Sequence, residues 1–460
     1  MAMEDTNLYQ QRDKCIEEAM NSKYKYSFCH SRVNGNPDNM DCRVKHDNDI
    51  QSGFEAMIKR EEGFSLVELL ITMVVFVLIL TATSNTFIDL LKDFKKQSAL
   101  SETNIEGAVG LETLKRDIAS AGYGLPWNVT GVASWAVLAN YNEATANTYN
   151  DGSPASALPT PANTTRAPRA IVSGNNSGVD FSGVAVVGES SDYLVIKAVN
   201  VATNVTSQKW THLKAGNAKT EWTPLCENVN RDTSCNTDNT VRVIVSNPGG
   251  TNTNQRALVV NAVGVFFAQY DNPAGSTSTF APAAGSTDVY VLYGVSPDTN
   301  LRMPFNRADY YIQRPASISP TCAPNTGVLY KGVVSHTNGT IPSVNNHPIL
   351  DCVADMQVVF RRDTGTDGII DTASEDISTL DAATIRDQIK EVRVYILAHE
   401  GQRDTGYTYS SSEFGPGSTL IRVGDPSLDG VSVGRTFDLV GNLNYRWKIY
   451  TLVIKMENLK

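Results

Sequence analysis

Between Leu69 and Ile88 the sequence carries no charged side chain. A helix needs roughly 20 residues to cross the hydrocarbon layer of a bilayer, and this run has that length. Lys59 and Arg60 precede it. Basic residues on that side favour an orientation with the N-terminus inside, which places everything after Ile88 outside the cytoplasm. Glu61 and Glu62 count little in that rule. The expected layout is therefore a single-pass anchor followed by an exported body. At 460 residues and 41% hydrophobic, the chain is long and apolar enough for that body to bury one large core or two ordinary ones.

Glu68 is the anomaly, an acid at the start of the apolar run. A charge in a membrane costs on the order of 3 kcal/mol by insertion scales, so such a residue normally has a partner. Cleavage between Gly63 and Phe64 creates one. A free α-amino group ordinarily titrates at about 8, so the new terminus is largely cationic. Glu68 can then pair with the terminus of a neighbouring subunit and set the stagger of an assembling filament. The residues Gly63-Phe64-Ser-Leu-Val-Glu68-Leu-Leu, followed by a hydrophobic helix, resemble the class III signal of type IV prepilins and type II secretion pseudopilins. The resemblance implies that a prepilin peptidase cuts after Gly63 and N-methylates Phe64. It also implies a helix whose apolar half anchors the subunit in the inner membrane before it polymerises with other pilins. An ordinary single-pass anchor with a chance Glu is the alternative reading.

Beyond the span the pattern turns amphipathic. Ala108, Leu111, Leu114, Ile118 and Ala121 recur at three- and four-residue steps, with Lys95, Lys96, Glu102, Glu106, Glu112, Lys115 and Arg116 on a polar face. One helix from Phe64 to about Ser120 is expected, roughly 85 Å long at 1.5 Å per residue, with its second half covered by the body. Gly107 and Gly110 mark a bend in that reading, and Gly122 and Gly124 suit a left-handed C-cap. The stretch Leu114-Lys-Arg116-Asp117-Ile-Ala-Ser-Ala-Gly122-Tyr123-Gly124 is similar to the helix end of PilW-type minor pilins. Near the C-terminus, Ile349 to Phe360, Val392 to Leu397 and Arg446 to Asn458 resemble the strands of the same proteins. The resemblance covers about a third of the chain and leaves residues 126–345 unassigned.

The expected fold class is α+β, with a long N-terminal helix on an enlarged antiparallel body that has one wet sheet face. The domain reading is a leader at 1–63, a transmembrane and assembly helix at 64–124, and an exported body at 125–460. Strands are expected at Tyr193–Val199, Thr240–Ser246, Arg256–Tyr270, Val289–Val295, Tyr310–Gln313, Val328–Val334, Met356–Arg361, Ile389–His399 and Arg446–Met456. Residues 142–169 and 272–287 are rich in small and polar residues and read as surface loops without a core of their own. Residues 1–56 lack periodicity. Met57 would begin a short leader, so this segment reads as a misassigned start, or as a cytoplasmic extension removed with the leader.

The formal charge of −10 argues against a nucleic-acid surface, which needs a basic footprint. Of 7 cysteines, Cys226, Cys235, Cys322 and Cys352 follow the span and read as two disulfides in an oxidising compartment. Three pairings are open; nearest neighbours, Cys226 with Cys235 and Cys322 with Cys352, each bracket a loop. Four buried thiols are the alternative. The run Asp363-Thr-Gly365-Thr-Asp367-Gly368-Ile369-Ile370-Asp371 places oxygen ligands Asp363, Asp367, Ile369 (through its carbonyl) and Asp371 at alternate positions around a turning glycine. That pattern resembles a Ca²⁺ loop, with Gly365 in place of an acid and Ser374 and Glu375 in place of a closing Glu. A solvated acidic turn is its alternative. The histidines are scattered and read as surface or strand residues, no phosphate-binding or hydrolase motif occurs, and no enzyme activity is expected. Tyr445, Trp447 and Tyr450 read as strand packing in preference to a ligand site. A minor pilin acting at pilus initiation or at the tip is the expected function, with a type II pseudopilin and a tip adhesin as rivals.

Overall fold

The computed structural model describes residues 65–138, 141–145, 149–151, 166–177, 191–220, 222–223, 240–249, 255–270, 276–314, 318–428 and 431–459. The chain divides into two compact units, residues 1–89 and 90–460. The long helix α1 spans Leu66–Ala119, and a short helix α2 spans Ala382–Gln388. Strands in the first half of the body are β1 (Asn128–Thr130), β2 (Ile171–Gly174), β3 (Tyr193–Ala198), β4 (Trp210–Lys214), β5 (Ala218–Lys219), β6 (Arg242–Asn247), β7 (Ala257–Val259), β8 (Ala268–Gln269) and β9 (Val289–Ser296). Those in the second half are β10 (Asn306–Gln313), β11 (Gly327–Val333), β12 (Asn346–Arg362), β13 (Thr372–Ser374), β14 (Ile389–Glu400), β15 (Leu420–Leu428), β16 (Val431–Asp438) and β17 (Arg446–Lys455). The class is α+β, a long apolar helix followed by a β-rich body.

The larger sheet runs β17-β14-β12-β11-β10-β3-β2, with β13 on the end of β12. All its pairings are antiparallel. A second sheet runs β1-β7-β6-β9-β4-β5, with β8 also on β6, and its β1–β7 pair is parallel. A hairpin of β15 and β16 stands apart from both ladders.

Period-2 alternation explains how the larger sheet is buried. In β14, Val392, Val394 and Ile396 join the main core with Leu114 and Ile118 of α1, whereas Tyr395 and Leu397 face a second cluster with Ile421, Val423 and Val433 of the hairpin. The central strands thus have no wet face, contrary to the alternation expected of a one-sided sheet. Asp425 of β15 ties the hairpin down, accepting from Arg361 and, at 2.6 Å, from Arg393 Nη1. The hairpin has no clear signal in the sequence, because Gly424 and Gly434 interrupt its apolar pattern.

Leu111, Leu114, Ile118 and Ala121 are buried, as their spacing predicts, but Ala108 is exposed. α1 continues through Gly107 and Gly110. Their role is close approach. A Cβ on Gly110 would lie 2.1 Å from the Ile349 carbonyl oxygen, so any side chain there would push α1 off β12. Past Ala119, Gly122 and Gly124 have positive φ and close the helix as expected. Asp117 adds a polar tie. Buried to 1% exposure, it accepts from the Tyr310 hydroxyl at 2.8 Å and pairs with Lys331. Burial raises its pKa, against the pull of Lys331.

The loops at 142–169 and 272–287 are also corrected. Glu143, Asn150, Asp151 and Arg169 are buried, as are Thr277 and Phe280. Arg169, Lys197 and Arg307 meet Glu143, Asp151 and Asp309 in one water-excluded network. Asp151 pairs with Arg169 at 2.6 Å and with Lys197 at 2.6 Å; Glu143 pairs with Lys197 at 2.8 Å and with Arg307 at 3.1 Å. Asp309 pairs with Arg307 at 2.7 Å and accepts from the Tyr193 hydroxyl at 2.6 Å. Three cations face three carboxylates, which is how charges can lie this deep. Burial alone would lower the Arg307 pKa, and Asp309 with Glu143 more than reverses that. Lys197 inside Tyr193–Ala198 and Arg307 with Asp309 inside Asn306–Gln313 were the available signals, since charges within apolar strands require partners.

Smaller differences follow the same logic. Arg256–Tyr270 holds two short strands, β7 and β8, separated by a turn where Asn261 accepts from Val263 and Val265 N–H groups. Strands β1, β2, β4 and β5 are too short to carry a periodic signal of their own.

Candidate site for membrane insertion and assembly

The first turn of α1 begins on Ser65, whose carbonyl accepts from the N–H groups of Glu68 at 2.9 Å and Leu69 at 3.1 Å. Glu68 is the acid of that turn. It lies where the unpaired N–H groups of a helix start favour negative charge. From Leu66 to Ile88 every large apolar side chain is between 48% and 81% exposed. A helix that is apolar on all sides has no wet face to offer, so lipid or neighbouring helices must cover it.

Its threonine side chains are satisfied from within. The hydroxyls of Thr72, Thr81 and Thr86 donate to the carbonyls of Leu69, Val77 and Ala82 at 2.9, 2.8 and 3.0 Å, and Thr83 donates to Ile79. Helical backbone and threonine hydroxyl groups thus need no water, the condition for lying in hydrocarbon. Among the described residues one helical segment, Leu66–Lys95, is long and apolar enough to cross a membrane. Gly63 and Phe64 lie outside the described residues, as do residues 1–56 and Met57.

Residues 58–84 match the model of the prokaryotic N-terminal methylation motif. The chain carries a prepilin-type N-terminus. The match spans Gly63, Phe64 and Glu68 together with most of the apolar run. It supports a type IV pilin-like or pseudopilin protein that is anchored in a membrane, processed by a prepilin peptidase and assembled with other pilins. Comparison with curated proteins and with solved structures gave no match.

Other candidate residues of this pilin-like chain lie in the body. Cys322 and Cys352 are at disulfide distance, with sulfurs 2.00 Å apart across 30 residues of sequence. Cys226 and Cys235 lie outside the described residues. His399 Nε2 accepts from the Ala323 N–H at 2.8 Å, beside this pair. Burial lowers the His399 pKa to about 4. Cys322, Cys352 and His399 gather within 4.8 Å, but sulfurs bonded to each other leave no thiolate for a metal. His336 is also buried, in a loop, with Nδ1 accepting from the Arg302 N–H at 3.2 Å and Nε2 3.1 Å from Asn306 Oδ1. It is therefore neither a surface nor a strand residue, a departure from the sequence reading.

In the acidic loop, Asp363 is buried and accepts from the N–H groups of Asp367 at 3.1 Å and Gly368 at 2.8 Å. Asp371 accepts from the Thr364 hydroxyl at 2.7 Å and the Gly365 N–H at 3.1 Å. The Thr364 hydroxyl, and then its N–H, lower the Asp371 pKa. Gly368 turns the loop at φ +91°. Asp367 and Ile369 meet through a hydrogen bond, Ile369 N–H to Asp367 Oδ1 at 2.9 Å. Each of these carboxylates is engaged with loop N–H groups.

Tyr445 and Trp447 pack around His399 at 4.6 and 5.2 Å between ring centres, and the Tyr450 hydroxyl donates to Glu400 at 3.0 Å. Trp447 also walls a cavity of about 200 Å³ with Tyr409, Glu413, Arg422 and Lys448. Arg422 and Lys448 there are paired with Glu413 and Glu400.

Proposed function

We propose that the chain is a minor pilin, a non-catalytic subunit that enters a type IV pilus at its initiation or tip complex. A prepilin peptidase first cuts between Gly63 and Phe64 and N-methylates Phe64. The observation that carries this reading is Glu68 in the first turn of a helix that is apolar on every side, within the methylation motif. In a bundle of such helices the Phe64 ammonium of one subunit is the natural partner for the carboxylate of the next. The PilW-type assignment rests on the Arg116-Asp117 helix end and its glycines. Before assembly the subunit sits in the inner membrane with its body in the periplasm.

A type II secretion pseudopilin shares the helix, and the enlarged body favours a long surface filament over a short periplasmic one. The deciding experiment is deletion in the native host. Loss of piliation supports the minor pilin, loss of protein export the pseudopilin, and normal pili with lost attachment a tip adhesin. Mass spectrometry of sheared pili should find N-methylated Phe64 as first residue, and an intact leader in assembled material would refute the prepilin reading. We also propose Ca²⁺ as the ligand of the 363–371 loop, on the strength of its donor set and of Gly368 at the turn.

A further inference from the structure

Strands β1 and β7 pair in parallel with Asn128 opposite Ala257, which makes Trp127 and Arg256 neighbours one step earlier. The Trp127 N–H donates to the Arg256 carbonyl at 3.0 Å. The Arg256 guanidinium folds back over the indole, its Cζ 4.6 Å from the ring centre, and donates to the Asn458 carbonyl at 3.0 Å. From α2, Arg386 brings a second guanidinium to 4.8 Å from the same ring. Two guanidiniums thus share one indole, which brings like charges together. Burial lowers the pKa of both arginines, and at Arg386 the charge of Arg256 adds to it while Asp387 and Asp381 oppose it.

Neither acid holds Arg386. Asp381 caps α2 by accepting from the Thr384 N–H at 2.7 Å, and Asp387 is exposed to solvent. Among the described residues no acceptor lies within hydrogen-bond distance of the Arg386 guanidinium. Beside Arg256 stands Tyr293, half-buried and edge-on to Tyr123 at 5.7 Å. Neither of these tyrosine hydroxyls has a hydrogen-bond partner among the described residues.

We propose that Trp127, Arg256 and Arg386 form a recognition site for a single carboxylate on a hydroxyl-rich ligand, an acidic sugar of the uronic acid type. The Arg386 guanidinium, over the indole at 4.8 Å, donates to no acceptor among the described residues, and its N–H fork matches a carboxylate. The tyrosine hydroxyls supply donors and acceptors of the kind sugar hydroxyls require. The overall charge of −10 works against polyanions, so a lone anionic group on an otherwise neutral ligand fits best. The site is independent of the helix and of its role in a filament.

The test uses the full chain in neutral detergent micelles, titrated with glucuronate. The indole N–H resonance of Trp127 is followed, assigned among the 5 tryptophans by Trp127→Phe. Saturation at low millimolar concentration is expected, with about tenfold weaker binding in Arg386→Gln and an intermediate value in Arg386→Lys, which keeps the charge but loses the fork. Glucose should not bind. An unchanged affinity in Arg386→Gln, equal binding of glucose, or no saturation below about 100 mM would overturn the proposal. Inorganic phosphate saturating where glucuronate does not would overturn the sugar and leave a phosphate site. Should Arg386→Gln lose the wild-type melting transition, Arg386→Lys decides the matter alone.

Discussion

Asp151→Asn removes one carboxylate from a network of three cations and three acids and changes almost nothing in shape. Its Oδ1 accepts from Arg169 Nε at 2.6 Å, and its Oδ2 accepts from Lys197 Nζ at 2.6 Å and from the Arg169 N–H at 2.8 Å. An amide can accept through one oxygen only, and its NH₂ would face cationic donors. Arg169, Lys197 and Arg307 would then share Glu143 and Asp309. All these side chains are at most 1% exposed, so water cannot screen the excess charge. Arg169 Nη2 already lacks a partner among the described residues, which offer no spare acceptor to take up the loss. Breaking a buried pair costs about 3–5 kcal/mol. A domain is stable by only about 5–15 kcal/mol, so the loss is a large fraction of the whole.

Removing the matching cation as well should recover part of it. The double variant Asp151→Asn, Lys197→Met restores the charge balance, and a coupling energy of about 1–3 kcal/mol is expected from the cycle. Urea unfolding of the full chain in micelles, followed by near-UV circular dichroism, measures each corner from the shift in midpoint at constant slope. A single-variant cost below about 1 kcal/mol, or zero coupling, would mean that the charges are not held as described and would refute the reasoning.

Glu68→Val should leave membrane insertion and leader cleavage intact but lower the ratio of protein in sheared pili to protein in membranes; an unchanged ratio removes Glu68 from assembly. Non-reducing peptide maps should link Cys322 to Cys352, and Cys226 to Cys235. Losing the first bridge, which spans 30 residues, should destabilise the body by about 3–4 kcal/mol; free thiols in exported protein would end that expectation. Burial lowers the His336 pKa to about 3, against 6.5 when unfolded. The neutral form is the folded one, so this stability is complete above pH 6.5 and drains as pH falls toward 3, by up to about 1.4 kcal/mol per pH unit. His336→Gln should flatten the pH dependence of unfolding in that window, and parallel curves would exclude the residue. Gly365→Asp should raise Ca²⁺ affinity, because a Cβ there would lie 3.9 Å from both Asp367 Oδ2 and Asp371 Oδ2. Calorimetry showing no gain over wild type would count against a cation in the loop.

What could be read from the sequence was whatever is encoded locally. The apolar run, Glu68 and the Leu111, Leu114, Ile118 spacing lie within one helix, where a 3.6-residue period is visible in a short window. The strand pairs of the larger sheet, from Ile389–Glu400 to Arg446–Lys455, were also legible because each is long and apolar. What escaped was encoded between distant segments. Glu143 and Lys197 are 54 positions apart, and nothing beside Glu143 in the sequence marks it as buried. The Arg-rich indole site joins Trp127, Arg256 and Arg386, each ordinary in its own neighbourhood. Gly110 reads as a weak point in the helix, because the Ile349 carbonyl that requires it lies across the sheet.

The same long-range packing bears on how the body is attached to the part of α1 that it covers. A subunit retained in a filament through its helix must not let that helix slide against its own sheet. An apolar stripe resists separation but tolerates sliding, because burial depends on area and hardly on direction. Two features of this body are directional. The Cβ-free faces of Gly107 and Gly110 seat α1 against Leu350 and the Ile349 carbonyl, a fit that a shift of one residue would replace with a clash from Ala108 or Leu111. About two turns further on, Asp117 accepts from Tyr310 of β10 and pairs with Lys331 of β11, a charge-assisted tie that rotation of the helix would break. Together they fix both the depth and the rotation of α1, so that a pull on this part of the helix is carried into the central strands of the larger sheet.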